Sequence, residues 1–439
     1  MQELKRQLNL YGLTMIVIGS CIGSGIFITS NEIAGYLVEV DKVLLVWILG
    51  GLVSLFGALT FAELGGLFPK SGGVYVYLKN AYGDLIAFLY GWVTLFIINT
   101  GAIAALSVAF VDFLTHFIDL SGSQKTILAI LIINILTYIN MHGVKISQIL
   151  ANFFSGIKIF AILFILAIGL ILGDIINFDF TVASSVKPDI SLTQAFLLAF
   201  VGVFWSFGGW HHSTYLSGEV IKAQRTVPKA MIIGVLSVTV LYLMANIAYF
   251  LLLPIDQIIA SKKVAADAIG AAFSFGGSLV SILVMCSLIG TIAIYTMTAP
   301  RIYFAMAKDG LFFKSLTKVH PKYKTPYVAM YSQAVCASLF VIIWGTFVRI
   351  ITFVTFMDIV FMLLAAATIF IFRKSFPEAN RPYKTIAYPV IPVVYVLICS
   401  AFVINLVLNL KTESLAGLAI LIAGIPVFVY FKRQVKEEN

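Results

Sequence analysis

Charge is scarce in this 439-residue chain: Asp, Glu, Lys and Arg make up 11% of it, against 61% hydrophobic residues. Soluble globular proteins carry about 25% charged and about 45–50% apolar residues. So few charges cannot clothe a water-facing surface for a chain of this length. With a mean hydropathy of +1.02, the bilayer is the expected solvent. Cysteine is scarcer still. Cys21, Cys286, Cys336 and Cys399 each lie in an apolar run, with no CxxC or Cys/His spacing. That argues against a disulfide framework and a thiolate metal site. No HExxH, Walker or dinucleotide motif occurs, and no nucleophile–base pair, so no metal, cofactor or enzymatic chemistry is implied. The net charge of +9 sits in short loops between apolar runs, not on one polar face. Nucleic acid is therefore a poor partner, and a positive-inside bias explains the bases better. The opening MQELKRQLNLYG leads into an apolar run that passes residue 30 without a convincing small-residue cleavage site, so the first span is expected to stay uncleaved.

What is present is a series of long apolar runs. A helix needs about 20 apolar residues to cross the hydrocarbon core. The runs are 10–36, 43–68, 84–114, 125–141, 147–173, 192–218, 228–253, 270–300, 327–345, 350–372, 387–409 and 414–431. They predict an all-α polytopic membrane protein with 12 transmembrane helices, because backbone at that depth must satisfy its own hydrogen bonds. With the N-terminus in the cytoplasm, 21 of the 29 Lys and Arg fall in inner segments and seven in outer ones, with Lys158 inside a span. That asymmetry predicts that both termini are cytoplasmic. Residues 69–83 (PKSGGVYVYLKNAYG) read as an interfacial or re-entrant piece, and 301–326 as a basic cytoplasmic linker.

Glycine at mid-membrane carries the most information. The first run holds GSCIGSGIF at 19–27, and the sixth holds GVFWSFGGW at 202–210. Glycine costs a helix about 1 kcal/mol relative to alanine, so clusters at matching depth predict two interrupted helices. Small-residue helix packing is the bland alternative. Five spans separate the two clusters, so they run in opposite directions. This is the pattern of an inverted repeat, with residues 1–173 and 174–373 as its two halves and 374–439 as two extra spans and a cytoplasmic tail. Interrupted helices expose amides that hold anions and carbonyls that hold cations, a combination suited to a zwitterion. The carboxylate is expected at the amides of Gly23, Ser24 and Gly25, and the ammonium at carbonyls near Cys21, Trp205 and Gly208. Phe207, Gly209 and Tyr242 are the expected pocket residues beside Trp205, with span packing an equal reading of Tyr242. No acid sits beside the glycines: Asp358 is deep in a late span, Glu63 near the inner end of the second, and Asp112 near the outer end of the third. Neutral substrates follow.

These residues resemble the amino acid–polyamine–organocation superfamily. GSGIF at 23–27 is similar to its first-helix signature. FWSFGGW at 204–210, SGEVIKAQRTVPKA at 217–230 and AELGGLFPKSGGVYVYLKNAYG at 62–83 resemble the L-type amino acid transporter branch, in its bacterial alanine–serine–cysteine exchanger-like form. The resemblance implies a LeuT-like 5+5 inverted repeat with broken helices 1 and 6, and sodium-independent exchange of amino acids by alternating access across the plasma membrane. It puts the carboxylate-binding motif on Gly23, Ser24 and Gly25 and the substrate-covering aromatic on Trp205. A tryptophan there suggests a small pocket, hence alanine, serine, cysteine or threonine. Animal relatives join a glycoprotein subunit through a cysteine in the outer loop after the third span. Here that loop, THFIDLSGSQ, has none, so a disulfide-linked heavy subunit is not expected and the chain is expected to work alone, as bacterial members do.

Lys158 lies about eleven residues into the fifth span. A lysine at that depth costs about 2.5–3.5 kcal/mol on insertion scales and usually faces a functional interior. Its ammonium is expected on the freed carbonyls of the first span, where sodium sits in sodium-coupled members of the fold; a purely structural contact is the alternative. It is also the expected proton carrier if the chain is a proton-coupled symporter, the second mechanism these residues allow. A channel fits two offset breaks less well. His211 and His212 point about 100° apart on a helix, poor geometry for one metal, and read as polar lining. Ser206, Ser213 and Ser287 are small polar residues of the kind that bond between helices.

Overall fold

The computed structural model describes residues 4–174, 179–184, 189–344, 347–409 and 411–438. Lys187, one of the bases assigned to outer segments, lies outside the described residues. Among the described residues the regular structure is helical, with two isolated β-bridges, Leu8–Val220 and Glu39–Ala183. Among the described residues ten helices are long and apolar enough to cross a membrane, and Leu192–Phe207 and Tyr327–Ile343 are shorter apolar helices.

Peripheral helices identify the solvent. On Gly122–Met141 the outward-facing positions Ile127, Leu131, Ile135 and Tyr138 recur at helical spacing and are all exposed. A face of large apolar side chains without a protein partner belongs against hydrocarbon, not water. The interior is occupied by Leu10–Ile28, which is buried at most of its positions. Its first part, Leu10–Cys21, packs against Val144–Leu172, Ala223–Leu252 and Gly276–Thr298. Those three helices supply the polar groups described below.

The segments around residues 63–83 and 301–309 are tied down by ion pairs. Residues 69–83 form a short helix, Val74–Tyr82, entered through Gly72 and Gly73, both at positive φ. Lys79 and the Tyr75 hydroxyl bind Asp309 at 2.7 and 2.8 Å. Glu63 accepts two bonds from Arg373, both 2.7 Å, and a third from the Thr385 amide at 2.7 Å. The eighth apolar run departs most from its expected bounds. It was read as 270–300 and is found as Gly276–Lys308. Its first residues belong to the separate helix Val264–Ala272. At the other end the helical path passes Arg301, read from sequence as part of a basic linker. Arg301 is fully buried because Glu219, also fully buried, takes its Nε at 2.7 Å and its Nη2 at 3.3 Å.

Glu219 also anchors the N-terminal segment. Its backbone carbonyl accepts from the Gln7 and Leu8 amides at 2.8 and 3.0 Å, and the Leu8 carbonyl accepts from Ile221 at 2.8 Å. One residue thereby joins the segment before Leu10, the end of the interrupted 192–219 region and the end of the eighth run. Removing one partner of a buried ion pair strands the other and costs about 3–5 kcal/mol. Arg301→Met is expected to lower the melting temperature of the detergent-purified protein sharply. Arg301→Met combined with Glu219→Gln is expected to recover part of that loss, which a double-mutant cycle measures.

Candidate functional site

Both interruptions lie at the glycine clusters. Leu10–Cys21 ends where Ile22 leaves helical geometry (φ −74°, ψ 84°), and a new turn begins at Gly25. Leu192–Phe207 ends at Gly208 (φ −55°, ψ 148°), followed by Gly209 at φ +103° and the short helix His212–Tyr215. The two breaks touch. Trp205 Nε1 donates to Ser24 Oγ at 3.1 Å, Ser20 Oγ lies 2.9 Å from the Gly209 carbonyl, and the Thr29 and Ser206 hydroxyls are 3.1 Å apart. Contact this close needs glycine. A Cβ on Gly25 would stand 2.6 Å from Ser206 Cα, and one on Gly209 would stand 2.8 Å from the Ser20 carbonyl oxygen.

Unwinding strands carbonyls, and side chains from three helices meet them. Lys158, fully buried, places Nζ 2.6 Å from the Gly19 carbonyl and 2.6 Å from Thr291 Oγ1. Thr291 Oγ1 lies 3.1 Å from the Ile22 carbonyl and Ser287 Oγ 3.2 Å from it. The Tyr242 hydroxyl lies 2.9 Å from Cys21 O and 2.7 Å from Ser206 O, so one phenol spans both breaks. Among the described residues no carboxylate pairs with Lys158; its charge is met by carbonyl and hydroxyl oxygens.

The expected zwitterion contacts have individual states. Gly23 N–H donates to Cys21 O at 2.8 Å. Ser24 and Gly25 open a helical turn, where amides lack intrahelical acceptors. A carbonyl has two lone pairs. Cys21 O takes the Gly23 amide and shares the single Tyr242 hydroxyl proton with Ser206 O, the two carbonyls lying 2.9 and 2.7 Å from that hydroxyl, and Trp205 O accepts from the Gly208 amide at 3.2 Å. Trp205 is partly exposed, whereas Phe207 is buried between Trp47 and Tyr242, with ring centroids at 6.1 and 5.0 Å. Gly208 and Phe207 also border a cavity of about 20 Å³ with His211 and Asp358. His212 Nδ1 is 2.8 Å from Thr298 Oγ1, a contact between helices and not a metal ligand.

Thr291, Ser155 and Ser20 were not singled out in the sequence. Ser155 donates to the Met15 carbonyl at 2.9 Å. A signal existed for Thr291: it stands four residues after Ser287, on the same helix face.

Two interrupted helices, meeting at polar groups inside a bundle of membrane-length apolar helices, have the build of a multi-pass membrane carrier. Residues 8–428 match the family model described as amino acid permease, and the chain belongs to that family, in the L-type branch of the amino acid–polyamine–organocation superfamily. It is 30% identical over 437 residues to the serine/threonine exchanger SteT of Bacillus subtilis (strain 168), covering 98% of each chain. It is 29% identical to the human large neutral amino acids transporter small subunit 2, over 99% of this chain and 82% of the relative. It is 28% identical to the human Asc-type amino acid transporter 1, over 97% of this chain and 82% of the relative. The chain is thus an amino acid transporter and not an enzyme.

At Gly209 an alanine would adopt a left-handed conformation that costs about 1–2 kcal/mol and would press on the Ser20 carbonyl. Gly209→Ala is expected to lower the melting temperature and slow transport. Gly156→Ala, whose Cβ meets nothing within 4 Å, is expected to leave both unchanged or to raise stability slightly. Equal effects of the two substitutions would refute the close-contact account.

Proposed function

We propose that this chain is a sodium-independent exchanger of small neutral L-amino acids, of the alanine, serine and cysteine type, working by alternating access. The carrying observation is the Lys158 ammonium on the Gly19 carbonyl at 2.6 Å. A tethered cation there serves the carbonyls that a sodium ion would otherwise serve. The names of two relatives, a serine/threonine exchanger and an Asc-type transporter, support small neutral substrates. The bulk of Trp205 over Ser24 supports a small pocket.

On this reading the ten long helices and the two shorter ones are twelve spans in a LeuT-like five-plus-five inverted repeat. Its halves are residues 1–173 and 174–373, and 374–439 adds two spans and a cytoplasmic tail. Both termini are cytoplasmic and the membrane is the plasma membrane of a prokaryotic cell. The chain works without a disulfide-linked heavy subunit, in keeping with the cysteine-free stretch THFIDLSGSQ. The substrate carboxylate takes the amides of Ser24 and Gly25, joined by Gly23 when its turn to Cys21 yields. The ammonium takes the carbonyls near Cys21, Trp205 and Gly208, with Tyr242 or Gly23 giving way at Cys21. Phe207 supports the pocket from behind Tyr242, and Gly209 lets the second break approach the first.

Lys158→Ala is expected to insert and fold but to lose exchange by about ten- to a hundredfold, the effect of removing a charged hydrogen bond worth about 1.5–3 kcal/mol. Normal transport by that variant would sink the coupling role. The reading itself is tested with purified protein in sodium-free liposomes, following radiolabelled L-alanine. Entry that requires unlabelled L-alanine inside is expected. Entry into empty vesicles driven by an inward proton gradient would overturn exchange in favour of proton symport.

A further inference from the structure

Behind the broken sixth helix lies a second polar pair that the transport reading does not use. His211 follows the Gly208–Gly209 break and is 3% exposed. Asp358 stands on Phe347–Ser375. His211 Nε2 and Asp358 Oδ1 are 3.8 Å apart, too far for a direct hydrogen bond, and neither atom has a hydrogen-bond partner among the described residues. Both residues line the cavity of about 20 Å³, which also touches Ser54 and Tyr395. A space of that size holds about one water molecule.

The surroundings decide the charge state. The titratable side chains whose charge interacts with Asp358 are Tyr90, Tyr215, Tyr295, Tyr395 and Cys399. His212 stands beside His211, with ring centroids 5.0 Å apart. Among the described residues no lysine or arginine pairs with Asp358. A bare carboxylate in such a place is far too costly. A neutral carboxyl facing a neutral imidazole is tolerable, and so is a carboxylate facing an imidazolium. Both arrangements contain one proton.

We propose that Asp358 and His211 form a single-proton site behind the broken sixth helix, with one bridging water and no part in holding the amino acid. The ligand is the proton alone, and the site lies where the break borders Phe347–Ser375. Occupancy is therefore tied to the packing of residues 208–211 against that helix. The site is separate from Lys158, which bonds Gly19 and Thr291.

The test needs no substrate, so it stands whether or not exchange of small neutral amino acids is correct. Melting of the detergent-purified chain is followed against pH for the unsubstituted protein, Asp358→Asn and His211→Gln. The folded pair keeps its proton above about pH 6.5, where an unfolded histidine and aspartate have released theirs. Stability of the unsubstituted protein then falls as pH rises. Asp358→Asn leaves a neutral imidazole and amide, so its folded state holds no proton at this pair. Its stability loses that fall and rises with pH below about 6.5 instead. The two proteins differ by one bound proton, about tenfold in the folding constant per pH unit. His211→Gln, which removes the imidazole, provides the second readout should the asparagine variant fail to fold. It is expected to alter the pH slope as well. A merely structural pair would lower the melting temperature without altering the slope. The site is overturned if every folded variant keeps the pH slope of the unsubstituted protein.

Discussion

The structure depends on one constraint: backbone that leaves the helix inside hydrocarbon must find its partners from the protein itself. Between Cys21 and Gly25 that demand falls on a few carbonyls, and the donors come from three helices. Lys158 comes from Val144–Leu172, Tyr242 from Ala223–Leu252, and Ser287 and Thr291 from Gly276–Thr298. The break can exist only where these helices converge, which is why Leu10–Cys21 sits in the interior. An unpaired lysine survives there because Gly19 O lies in the last turn of Leu10–Cys21, where the helix carries partial negative charge. The glycines complete the arrangement. Without Gly25 and Gly209 the second break could not approach the first closely enough to share Tyr242.

The sequence revealed these features unevenly, for physical reasons. Apolar run length is a direct consequence of bilayer thickness, so most helix bounds were legible. Glycine clusters mark interruptions because they are costly in a continuous helix, and both breaks fall within GSCIGSGIF and GVFWSFGGW. Lys158 stood out because charge is so rare in the spans. What could not be read was pairing at a distance. Arg301 looked like a loop base because its partner, Glu219, is 82 residues away. Thr291 carries no charge and resembles any span threonine until the carbonyls of Gly19 and Ile22 are seen beside it. Asp358 and His211 were each noticed, but their meeting depends on how the sixth and tenth runs pack.

The same backbone demand would make an exchanger of the proposed kind resist leaking. On the proposed reading a tethered ammonium, unlike a bound sodium ion, stays with the chain and so does not couple a sodium gradient to movement of the break. The remaining demand is on the amino acid. In passing between open states the empty carrier of the proposed site would bury the Ser24 and Gly25 amides away from water. An unsatisfied buried polar group costs about 1–3 kcal/mol. Two of them would slow the empty passage by about tenfold or more, at about 1.4 kcal/mol for each factor of ten. The carboxylate of a zwitterion satisfies both at once. On the proposed site, then, obligatory exchange needs no additional gate: a loaded carrier reorients because its backbone is paired, and an empty one stalls because it is not.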